Sequence, residues 1–192
     1  MTKKLVLVAG APGSGKTYIG KQIAKKTKST YLDKDTISRF STELLLTSMG
    51  SNINDRESSI YLDNIKDIEY KTLIKTAIEN LEAVDIVICS APFIGQIQNQ
   101  EWLDDLVFDL EVIDAALVVI WVKVDIPTAK ERILSRGANR DMWKLSNWAE
   151  YSRTTPHSDI NSSYPIQIID NSNTLQAPLE EQINQFIKDS LQ

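Results

Sequence analysis

Apolar positions in this chain recur with two periods. Short unbroken runs at residues 5–9, 30–32, 86–89, 116–124 and 166–169 read as strands, because a strand covered on both faces needs no polar alternation. Between them the spacing lengthens. Leu73, Ile74, Ala77, Ile78 and Leu81 recur on one helical face, as do Ile183, Phe186 and Ile187 near the end. Such stripes are core faces rather than cofactor boxes. Residues 18–28 and 37–46 also suit helices, and 52–57 and 161–165 carry turn residues and read as loops. Strand and helix alternate from end to end, the pattern of an α/β fold in which helices cover both faces of a parallel sheet. There is no internal repeat and no linker, so one domain over residues 1–192 is expected.

Bulk composition narrows the function. A chain of 192 residues with net charge −5 and pI near 5.0 argues against a nucleic-acid partner. The single basic run, Lys21, Lys25, Lys26 and Lys28, reads as the solvated face of the first helix. Cys89 stands alone inside an apolar run, so it is expected to be an inert core thiol with no disulfide framework around it. The first apolar segment is too short for a signal sequence, and no window reaches the length of a membrane span; the expected location is the cytoplasm, with no membrane partner. His157, beside Pro156 in a polar stretch, reads as a surface imidazole.

In sheets of this type the ligand lies at the carboxyl ends of the strands, so residues that follow each strand are site candidates. The first strand runs into Gly10, Ala11, Pro12, Gly13, Ser14, Gly15, Lys16 and Thr17, a full G-x-x-x-x-G-K-[ST] phosphate-binding loop with a strand before it and a helix after it. The glycines let successive backbone N–H groups point into one concavity, and the helix N-terminus adds partial positive charge there. A triphosphate suits that nest. Lys16 would reach the β- and γ-phosphates, and Thr17 would ligate Mg²⁺, so ATP and Mg²⁺ are the expected cofactors.

The second strand is followed by Asp33, Lys34, Asp35 and Thr36, about one helix and one strand past the loop. In an extended chain residues i and i+2 share a side, so both carboxylates are expected to face the pocket: Asp33 as an aid to the metal, Asp35 as proton acceptor for an attacking hydroxyl. Their competing role is to cap the next helix. The third strand ends at Ser90, where phosphate-loop enzymes often carry a metal-holding acid. After the fourth come Asp125 and Pro127, a helix start, then Arg132 and Arg136 on one face, a stop near Gly137, and Arg140 in a position suited to a closing lid. Trp143 and Trp148 either line that lid or pack it. Asn171 and Asn173 follow the fifth strand and are candidates to touch the nucleotide base.

On these residues the chain resembles the small phosphate-loop kinases often labelled AAA-type ATPases, which include zeta-toxin kinases, the kinase domain of polynucleotide kinases and chloramphenicol phosphotransferase. The likeness runs from about Val6 to Asp170: Gly10 to Thr17 matches the phosphate loop, Leu32 to Thr36 resembles the zeta-toxin segment that bears the base, and Arg132, Arg136 and Arg140 match lid arginines. It implies a three-layer α/β/α fold with five parallel strands in the order 2-3-1-4-5 and a small lid at about 137–150. It further implies Asp35 as base, Arg136 and Arg140 as phosphate clamps, and Arg56 on the substrate side. Ser90 departs from relatives that carry an acid. The expected activity is transfer of the γ-phosphoryl of ATP to a hydroxyl of a small-molecule or nucleotide-type acceptor. The alternative is a phosphate-loop ATPase or nucleotide switch, although the N-K-x-D base reader of guanine-specific switches is absent from the sequence.

Overall fold

The computed structural model describes residues 2–173 and 177–191. Their elements run β1 (Lys3–Ala9), α1 (Lys16–Thr27), β2 (Thr30–Asp33), α2 (Lys34–Ser48), α3 (Ser59–Asn64), α4 (Lys66–Asn80) and β3 (Ile86–Ser90). There follow α5 (Ile94–Ile97), α6 (Gln100–Glu111), β4 (Ala115–Lys123), α7 (Ile126–Arg136), a 3₁₀ turn at Asn139–Asp141, α8 (Met142–Ser146), α9 (Trp148–Thr154), β5 (Ile166–Asp170) and α10 (Leu179–Ser190). All five strands are parallel, in the order β2-β3-β1-β4-β5, as the resemblance implies.

The central strand shows why the runs lack alternation. Leu5, Leu7 and Ala9 enter one layer with Leu73, Ala77 and Leu81 of α4 and Leu103, Leu106 and Leu110 of α6. Val6 and Val8 enter the opposite layer with Ile19 and Ile23 of α1 and Ile183 and Phe186 of α10. Both faces are covered, so every position from Leu5 to Ala9 is fully buried. Cys89 is free and buried in the first layer, and that burial pushes its thiol pKa up, as an inert core thiol requires. Lys21, Lys25, Lys26 and Lys28 are exposed. Among the described residues no helix is long and apolar enough to cross a membrane.

Two elements differ from the sequence expectation. The second helix starts at Lys34 rather than near Ile37, because Asp33 caps it: Oδ1 accepts the N–H groups of Asp35 at 3.1 Å and Thr36 at 3.3 Å. Asp35 therefore stands in the first helical turn and not in extended chain. His157 is only 4 % exposed, not a surface imidazole. Its segment is drawn in by Val124, whose N–H donates to the His157 carbonyl, and by Trp121, whose indole N–H donates to the Ser158 carbonyl. Trp148 and Tyr151 enclose the ring, and this burial lowers its pKa.

Candidate active site

The carboxyl ends of β1, β2 and β3 open into a cleft of about 540 Å³. Its floor is the loop after β1. Gly13 adopts φ +83°, and a Cβ there would lie 2.7 Å from the Ala129 carbonyl oxygen. Gly15 caps α1 at φ +92°, and a Cβ would strike the Asn171 amide. Both positions need glycine. The Ser14 N–H closes the turn onto Ala11 at 3.1 Å, and the first N–H groups of α1 have no intrahelical acceptor. Lys16 folds over the loop and donates to the Ala11 carbonyl at 2.8 Å. Desolvation and the neighbouring Arg136 lower its pKa to about 7, although Asp35 and Asp33 pull the other way.

Asn171 is buried, and its amide donates to the Ser14 carbonyl at 2.8 Å. That hydrogen bond braces the loop. Arg132 also attaches to the loop from outside the cleft, with Nη1 donating to the Gly13 carbonyl at 3.4 Å and Nη2 to the Asn173 side-chain oxygen at 3.5 Å. Arg136 and Arg140 line the cleft itself, on the near and far sides of Gly137, whose φ of +57° ends α7.

Asp33 ends β2 directly beside Ser90, the end of β3. With one oxygen engaged in the cap, its other oxygen accepts from Tyr31 at 3.1 Å and from the Thr17 hydroxyl at 3.3 Å. This carboxylate stands one strand away from the place where an acid was expected. A hydroxyl and a carboxylate oxygen side by side at a phosphate loop fit Mg²⁺, which takes hard oxygen donors and keeps much of its water.

Asp35 faces the cleft between two cations: Arg140 Nη1 at 2.6 Å and Lys34 Nζ at 3.3 Å. Burial alone would raise its carboxyl, but Lys34 and Arg140 hold it below the usual carboxylate range. Lys34 is itself buried and pairs with buried Glu69, which also accepts from Thr42 at 2.5 Å and Tyr61 at 2.8 Å. Glu69→Ala would take away the buried partner of that ammonium and leave it Asp35 alone, so chemical denaturation should show a loss of up to about 3–5 kcal/mol. Replacing the pair together, Lys34→Met with Glu69→Leu, should recover most of it; an unchanged single variant would remove the network from the stability of α2.

The segment beyond Gly137 is tied across the cleft. Besides Arg140 on Asp35, Lys144 meets Glu57 at 2.5 Å, while Arg136 meets Asp141 at 2.6 Å. Trp143 lines the cleft, whereas Trp148 packs on Tyr151 with ring centroids 5.4 Å apart. Arg56 lines the cleft as well. Lys34 with Glu69 and Lys144 with Glu57 had no signal in the sequence, since their partners lie 35 and 87 positions away.

Residues 5–155 match the family model described as AAA domain. The chain is similar to a protein named adenylate kinase from Nautilia profundicola, 31% identical over 172 residues that span 86% of this chain and 84% of that one. It is similar also to an adenylate kinase from a Nitratiruptor species, 34% identical over 149 residues, 72% of this chain and 70% of the other. In fold it matches the crystal structure of a protein from Chloroflexus aurantiacus j-10-fl, with TM-score 0.68 and 21% identity over all of both chains.

Proposed function

The chain belongs to the AAA domain family and is a phosphate-loop phosphotransferase, and on that premise we propose that it transfers the γ-phosphoryl of ATP to a hydroxyl of a small-molecule or nucleotide-type acceptor. The observation that carries this reading is the meeting of Lys16, Asp35, Arg136 and Arg140 in one cleft at the carboxyl ends of the strands. A nucleotide switch has no need of a carboxylate held opposite a phosphate loop, whereas a kinase must orient an acceptor hydroxyl and take its proton. The name shared by the two relatives favours the nucleotide side of the acceptor range. The narrower likeness to zeta-toxin kinases rests on Asp35 and the three arginines.

In this reading the loop amides and Lys16 bind the polyphosphate, braced from below by Asn171 and from outside by Arg132. Thr17 and Asp33 would hold Mg²⁺, which neutralises phosphate charge when bound. Arg136, at the end of α7, and Arg140, carried by a lid at about 137–150, stabilise charge on the transferring group. Asp35 orients the acceptor hydroxyl and accepts its proton as the oxygen attacks phosphorus. Purified protein with ATP and Mg²⁺ should release ADP in step with phosphorylated product when the right member of a hydroxyl-compound panel is present. ADP release at one fixed rate, with every phosphate recovered as inorganic phosphate, would instead make the chain an ATPase.

A further inference from the structure

The protein carries a net charge of −5, yet its cleft is lined by seven cationic side chains and four carboxylates. Most of these are matched. Lys34 pairs with Glu69 and Asp35, Arg140 with Asp35, Arg136 with Asp141 and Lys144 with Glu57. Among the described residues, three cleft cations meet no carboxylate within ion-pair distance: Lys16, Arg56 and Lys66. Lys16 belongs to the phosphate loop. Arg56 and Lys66 come from the loop before α3 and the start of α4, elements that contribute nothing to that loop.

Arg56 is held in place before any ligand arrives. Its Nη1 donates to the Ile53 carbonyl at 3.1 Å and the Asp55 carbonyl at 2.6 Å, and the guanidinium lies 5.4 Å from the centroid of the Tyr61 ring. Tyr61 is in turn fixed by its hydrogen bond to Glu69. A fixed guanidinium and a free ammonium that line one cleft, both half-buried, suit a carboxylate or phosphate. Gln96 and Tyr151 line the same cleft, and their side-chain oxygens are buried without a hydrogen-bond partner. Arg56, Arg140 and Trp143 also line an adjoining cavity of about 560 Å³, which gives room for an acceptor larger than its anionic group.

We infer that the phosphoryl acceptor is itself anionic, a hydroxyl compound bearing a phosphate or carboxylate group that docks on Arg56 and Lys66 while its hydroxyl meets Asp35. The inference rests on the kinase reading and narrows it: neutral sugars and nucleosides lack the group that these two cations recognise.

Calorimetric titration of inorganic phosphate, and separately of acetate, tests it in protein whose donor site is filled with a non-hydrolysable ATP analogue and Mg²⁺. One anion per chain should bind. Arg56→Ala and Lys66→Met should each weaken it by about tenfold or more, Arg56→Lys should retain part of the affinity, and affinity for the ATP analogue should hold in all three. Preference for phosphate marks a phosphomonoester acceptor, and preference for acetate a carboxylate. Absence of anion binding, or binding that survives both Arg56→Ala and Lys66→Met with unchanged melting temperatures, overturns the inference. Failure of the ATP analogue itself to bind is a separate result that counts against the kinase reading; the same variants then report on the anion site in the unfilled cleft.

Discussion

Asp35→Asn should keep ATP binding and lose about two to four orders of magnitude in phosphoryl transfer, the range over which a positioned acid–base group contributes. The amide matches the carboxylate in shape and still offers an oxygen to Arg140, so the first turn of α2 should stay in place; what it lacks is the ability to take a proton. Because Lys34 and Arg140 hold this carboxyl below the usual range, the group is ionised at neutral pH. A steady-state kcat beside a direct measurement of ATP affinity separates the two effects. Full transfer by Asp35→Asn would shift the proton to Asp33 or to the substrate.

Lys16→Ala should abolish the ATP-induced rise in melting temperature and leave the apo protein at least as stable as before. The sign follows from its pKa. A lysine held at about 7 when folded and near 10.5 when unfolded opposes folding at neutral pH, and that penalty eases as pH climbs from 7 towards 10.5, where the folded chain keeps the amine neutral. Polyphosphate reverses the balance by drawing the ammonium form back. At pH 8 part of these amines is neutral before ATP arrives, so binding should take up a fraction of a proton per chain. Affinity should then fall as pH rises above 7. Calorimetry in two buffers of different ionisation enthalpy measures the uptake, and in Lys16→Ala the uptake should vanish; equal melting shifts for the variant and the wild type would end the assignment.

What could be read from the sequence was what neighbouring residues encode. The run from Leu5 to Ala9 is apolar because both faces of one strand are covered, and the phosphate loop is eight contiguous residues whose chemistry is local. Asp33 and Asp35 were legible as a pair through their place after β2, but which of the two caps the next helix was not. That depends on a side chain folding back on its own backbone, which starts α2 three residues early. The ion pairs were invisible for a different reason. Nothing near Lys34 announces Glu69, and nothing near Glu57 announces Lys144; sheet order and helix docking create these neighbours. His157 was misjudged on the same ground, and the bracing hydrogen bond of Asn171 had no signal, since polar or turn-like local sequence says nothing about a segment that packs back onto Val124 or onto the phosphate loop.

The ion pair between Arg140 and Asp35 bears on what water can do in the cleft. On the proposed reading, with residues of about 137–150 as a lid, water is small enough to enter without parting the two groups, and the carboxylate it would find is already paired with a cation. An acceptor has bulk and polar groups of its own, enough to insert between α2 and the lid and leave the guanidinium to the phosphates. On the proposed reading, idle hydrolysis is slowed by the same contact that a true acceptor must break, so discrimination against the most abundant hydroxyl in the cell begins before any bond to phosphorus forms.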